Sequence, residues 1–82
     1  VDGFGELHLR LAVAEALRAV GRMDEALSTL NKTLYQLRLR LDDIPDMEVR
    51  KRYLEVVPVH VRLLELTREW FPRIDMRQAL GF

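Results

Sequence analysis

The sequence predicts an all-α fold of antiparallel helical hairpins, about four helices in a small bundle. Leucine alone supplies fifteen of the 82 residues, and strand-like alternation of apolar and polar positions is confined to fragments such as Leu7 to Leu11 and Leu37 to Leu41. Punctuation is sparse, with four glycines, three prolines and no Ser/Gly-rich stretch to act as an internal linker. The third observation is a seam: Met23, Leu27, Leu30, Leu34, Leu37 and Leu41 recur at spacings of four and three, which commits one helix edge to a neighbour. The chain therefore reads as one domain, 1–82, made of a first hairpin at 6–42, a second hairpin or capping helices at 46–71 and a tail at 72–82.

The opening Val-Asp-Gly-Phe-Gly is too glycine-rich for a helix, so the first helix is expected from about Glu6 to Val20. Leu7, Leu11, Ala14 and Leu17 run down one side, with Val13, Ala16 and Val20 beside them, giving a broad apolar face. Gly21 stands where a left-handed residue closes a helix, and Asp24 and Glu25 suit the positive end of the next one. A turn this short makes the two helices antiparallel.

The second helix, about Met23 to Leu41, is a rod of about 28 Å that ends at Asp42, Asp43 and Pro45. Asp46 is placed to cap a third helix, Met47 to about Val56, with Glu48 in its first turn. Pro58 cannot occupy an undisturbed helix interior, so a fourth helix is expected to start there, with Val59, Leu63, Leu66 and Trp70 along one side and Pro72 beyond its end. Trp70 is expected to close the end of the bundle. Asp75, with Gln78 three residues later, marks a short final turn containing Met76, Ala79 and Leu80.

Thirteen basic residues balance thirteen acidic ones, so no net field gathers nucleic acid or anionic lipid. The longest apolar runs fall far short of the roughly 20 residues that span a bilayer. With no cysteine there is neither a disulfide framework nor a thiolate metal site, which suits a reducing, cytoplasmic setting. No signal-peptide pattern opens the chain, and because it begins with Val1 rather than Met it is expected to be a piece of something longer, excised or processed.

Chemistry-bearing motifs are absent from the pattern. His8 and His60 lie far apart, each without a second ligand at helical spacing, and both are expected on the surface. No nucleophile elbow, phosphate loop or paired-carboxylate arrangement occurs, so no enzyme, cofactor or small-molecule substrate is expected. Asp42, Asp43, Asp46 and Glu48 lack the central glycine and distant glutamate of a calcium loop. Arg50, Lys51 and Arg52 point in different directions on a helix and are flanked by Glu48 and Glu55, so a nucleic-acid surface built on them with Arg62 is a minor reading. Tyr35, Tyr53, Trp70 and Phe71 read as packing residues at helical spacing rather than as a ligand pocket.

The stretch from Val13 to Leu34, VAEALRAVGRMDEALSTLNKTL, resembles a tetratricopeptide repeat through Val13, Ala14, Leu17, Gly21, Met23, Ala26, Leu27 and Leu30. Arg10, where a large aromatic is common, and Thr33, where alanine is usual, depart from the pattern. The resemblance implies a right-handed array in which Ala14 and Ala26 allow close helix approach, Gly21 makes the turn, and Leu17, Met23 and Leu30 fill the groove. The stretch from Arg52 to Trp70 is similar to segments that close such arrays at the C-terminal end of large bacterial signalling proteins. Together they imply a non-catalytic module that binds a protein or peptide. Its expected partner-binding stripe is His8, Leu11, Glu15 and Arg18, with Ala12 and Arg22 nearby; the family's chaperone-binding members grip a C-terminal carboxylate with lysine and asparagine on this face, whereas this sequence offers Leu11 and Glu15. Repeats of this kind cannot bury both faces alone. The leucine seam therefore packs within the monomer, against a next repeat, or in a homodimer through Leu27, Leu30, Leu34 and Leu37; the last makes an oligomerisation or capping element the alternative function.

Overall fold

The computed structural model describes residues 3–81, with side chains from Glu6 onward. Among these residues the architecture is all helical: α1 Gly3–Ala19, α2 Met23–Asp42, α3 Met47–Val56, α4 Pro58–Trp70 and a single turn, α5 Met76–Ala79. The first helix starts earlier than expected. Gly3 and Gly5 cost roughly 1 kcal/mol each relative to alanine in a helix interior, and that propensity is overridden in the first turn of a long, packed helix.

The reversal at Gly21 has a specific backbone cause. Arg22 N–H donates to Leu17 O at 2.9 Å and Gly21 N–H to Arg18 O at 3.0 Å, the paired bonds of a Schellman cap. Gly21 has φ +83°, a conformation that a Cβ disfavours, and α1 and α2 pack against each other as a hairpin around it.

Asp46 caps α3, its Oδ1 accepting from Glu48 N–H at 2.8 Å and Val49 N–H at 3.3 Å. Asp46→Ala is therefore expected to cost about 0.5–2 kcal/mol, read as a lower urea midpoint. Asp43, which follows α2 and caps no helix with its side chain, is expected to tolerate alanine within about 0.5 kcal/mol. The chain breaks at Val57, an extended residue with ψ 116°, and Pro58 opens α4 where its missing N–H costs nothing. Asp75 caps α5 by the same bonds as Asp46, accepting from Arg77 and Gln78.

Leu7, Leu11 and Ala14 of α1 face Ala26, Leu30, Leu34, Leu37 and Leu41 of α2, and Val59, Leu63, Leu66 and Trp70 of α4, with Leu54 of α3 and Leu80 of the tail, complete the core. Ala14 and Ala26 are fully buried, the small residues expected at a close helix approach. Four of the six seam leucine and methionine positions are buried inside the monomer; Leu27 is half-buried and Met23 exposed. A homodimer through Leu27, Leu30, Leu34 and Leu37 is thereby corrected, because Leu30, Leu34 and Leu37 already face the chain's own helices. Met23 is likewise no groove filler, lying at the start of α2 beyond the last buried turn of α1, while Leu17 is half-buried. Thr33 fits the core where alanine was expected because its hydroxyl donates to Thr29 O at 2.7 Å.

Two ion pairs orient α4 against α1: Arg62 to Glu15 at 2.8 Å and Arg18 to Glu69 at 3.0 Å. Their order along both helices makes α1 and α4 parallel. The tail is fastened as well, since Leu80 is buried and Arg50 donates to Gly81 O at 3.2 Å and to Ile44 O.

Candidate interaction surfaces

The expected partner-binding stripe lies against α4. Leu11 is only 5% exposed and belongs to the core, which corrects its expected role as an apolar contact for a partner. Its spacing from Leu7 and Ala14 turns it toward α2 and α4. His8 and Glu15 share a shallow cleft of about 350 Å³ with Pro58, Val59 and Arg62. Glu15 and Arg18 share a second, of about 330 Å³, with Arg62, Leu66, Glu69 and Trp70. The structure thus brings His8, Glu15 and Arg18 to one seam, but α4 is already its occupant.

That seam is held by charge and by one aromatic ring. Glu15, and secondarily Glu65, raise the pKa of the Arg62 guanidinium through hydrogen bonding and Coulomb attraction. Arg18 lies 5.0 Å from the Trp70 ring centroid while it pairs with Glu69, so one guanidinium links α1 to the end of α4. Trp70 is 8% exposed, and its indole Nε1 has no hydrogen-bond partner among the described residues.

His60 is fully buried, a correction to the surface position expected of it. Its Nδ1 lies 3.1 Å from Tyr53 O, and because a carbonyl only accepts, that nitrogen carries the proton. The two rings are 4.6 Å apart, so His60 ties α3 to α4 across the break at Val57. Burial lowers the His60 pKa from 6.5, with the Arg40 charge acting in the same direction and the Tyr53 hydrogen bond opposing them. Below 6.5 the unfolded chain takes up a proton that the folded chain resists, so stability falls as pH drops through that window and is insensitive to His60 above it. Urea midpoints between about pH 7.5 and pH 5.5 are expected to fall more in the wild type than in His60→Asn; equal falls would contradict the assignment.

The surface that spacing alone failed to single out is the back of α1. Leu9, Val13, Ala16 and Val20 are all exposed and form the side of the helix opposite its buried residues, whereas Ala12 and Ala19, also exposed, line the two clefts toward α4. Val13, Ala16 and Val20, expected beside the buried face, therefore point outward, with Leu9 at 66% and Val20 at 71% exposure. The signal in the sequence was the breadth of the apolar pattern: a helix apolar on both sides is normally covered on both.

The basic triplet does not act together. Arg50 is half-buried and bonded to two carbonyls, leaving Lys51 and Arg52 exposed, and Arg62 is occupied by Glu15 and Glu65. No group of three or more metal-ligating side chains occurs among the described residues, and no described helix is long and apolar enough to cross a membrane. Compared with protein-family models, curated proteins and solved structures, the chain matches none.

Proposed function

We propose that this chain is a non-catalytic helical interaction module, tetratricopeptide-like in its first hairpin, that binds a helix of a protein partner along the back of α1. The observation that carries this reading is the uncharged outward stripe of Leu9, Val13, Ala16 and Val20, with Ala16 leaving room for close approach of a second backbone. An outward face of this kind on a small chain is an interaction site rather than an ordinary solvent face. The motif residues from Val13 to Leu30 add support for a helical-repeat module, and the similarity of Arg52 to Trp70 to segments that close such arrays in large bacterial signalling proteins fits a place in a larger cytoplasmic regulator.

A second copy of the chain is the alternative occupant, and the stripe's own symmetry favours it. Leu9 and Val20 are equidistant from its midpoint, as are Val13 and Ala16, so antiparallel self-pairing sets Val13 against a small residue. The chain's zero net charge puts no long-range repulsion between copies.

The test compares two surface variants. Partners captured by the wild type are expected to be lost by Val13→Glu with Ala16→Glu, and kept by Glu15→Arg with Arg18→Glu, which disturbs only the α4 seam. Sedimentation of the same proteins reads self-association directly. If the α1 variant retains both its partners and its oligomeric state, the back of α1 is not the binding face.

A further inference from the structure

A second surface is independent of the α1 stripe. Between α3, α4 and α5 lies a trough of about 470 Å³ with an apolar floor of Leu54, Leu64, Met76 and Leu80. Lys51, Arg68 and Arg77 line it, one from each helix, and no carboxylate does. All three are exposed, and none makes an ion pair or a side-chain hydrogen bond among the described residues. This distinguishes them from Arg10, Arg18, Arg22 and Arg62, each of which holds a glutamate. On a chain of zero net charge, three cations distant in sequence meet here without compensation.

We propose that this trough binds an acidic amphipathic peptide helix. Apolar side chains of the peptide would seat on Leu64 and Met76, both half-buried and so accessible, and its flanking carboxylates would pair with Arg68, Arg77 and Lys51. The charge and shape of the trough select this occupant. A nucleic-acid strand uses aromatic side chains for stacking, and no aromatic lines the trough. A bilayer surface is met by the outward apolar face of an amphipathic helix, whereas here the apolar residues form the floor of a depression. A free anion gains nothing from Leu64 and Met76.

The probe is a labelled synthetic helix of about four turns, with leucines along one face and glutamates on the others, titrated against the whole chain by fluorescence polarisation. Saturable binding is expected, weakening as salt screens the rim charges. Arg68→Glu with Arg77→Glu is expected to weaken it at least about tenfold, with the helical circular dichroism unchanged because both side chains are exposed. Val13→Glu on α1 is expected to leave it unchanged, which separates this site from the proposed partner face. The proposal is overturned if the double variant keeps its affinity, if a peptide with lysine in place of glutamate binds equally well, or if anionic phosphatidylserine vesicles are bound through Arg68 and Arg77 while the peptide is not.

Discussion

Leu37→Ala is expected to destabilise the chain by about 2–5 kcal/mol, because a fully buried leucine in the buried part of the α2 seam leaves a cavity that rigid helices only partly close. At roughly 4–8 °C per kcal/mol for a domain of this size, the thermal midpoint drops by about ten degrees or more. Leu39, two residues along and 42% exposed, is the matched control, and its alanine variant is expected to stay within about 0.5 kcal/mol of the wild type. The comparison is made at a concentration where sedimentation shows a monomer. A seam packed against a second copy would instead make the Leu37 penalty grow with protein concentration.

Trp70→Ala is the second large effect, at about 3–5 kcal/mol. The ring is almost wholly buried at the end of α4 and supports the Arg18 guanidinium, so its loss loosens α4 from α1 and removes the contact that aligns Arg18 with Glu69. Trp70→Phe separates packing from polarity. Its indole Nε1 has no partner among the described residues, so phenylalanine deletes an unsatisfied donor and keeps most of the apolar surface. We expect a penalty below about 1.5 kcal/mol for phenylalanine, measured by urea unfolding followed by circular dichroism. Equal penalties for the two substitutions would mean that the indole N–H is bonded in solution.

The parts of this fold legible in the sequence are those fixed by neighbours in the chain. Gly21, Asp46, Pro58 and Asp75 each act through backbone bonds within a few residues, so their positions announce a cap, a break or a turn wherever the helices then go. The four-three repeat from Met23 to Leu41 likewise identified one edge of α2. Its register was correct at Leu30, Leu34, Leu37 and Leu41, and failed at Met23, where the neighbouring helix has ended.

What escaped sequence reading depends on α4. Whether Leu11 faces a partner or the core is decided by Val59 and Arg62, residues far along the chain that spacing within α1 cannot locate. His60 sits among apolar residues of α4 at a position that either side of the helix could have claimed; the Tyr53 carbonyl, brought near by the break at Val57, is what makes its burial tolerable. The outward stripe of α1 was visible only as excess, more apolar residues than one face can use. Which of them were surplus became clear once α2 and α4 had taken Leu7, Leu11 and Ala14. The trough between α3, α4 and α5 was invisible for the same reason, since Lys51, Arg68 and Arg77 meet only after the tail has folded back.

All these surfaces follow from the reversal at Gly21, which a dipolar distance between spin labels at Glu6→Cys and Tyr35→Cys measures directly. Both positions are exposed, and the chain contains no other cysteine to label. Helices packed as a hairpin, with axes about 8–10 Å apart, place the labels within about 25 Å once the length of the tethers is included. Diluting with unlabelled protein removes any contribution between copies. A single continuous helix from α1 through α2 would separate them by about 44 Å, and that distance would contradict the hairpin and every surface assigned from it.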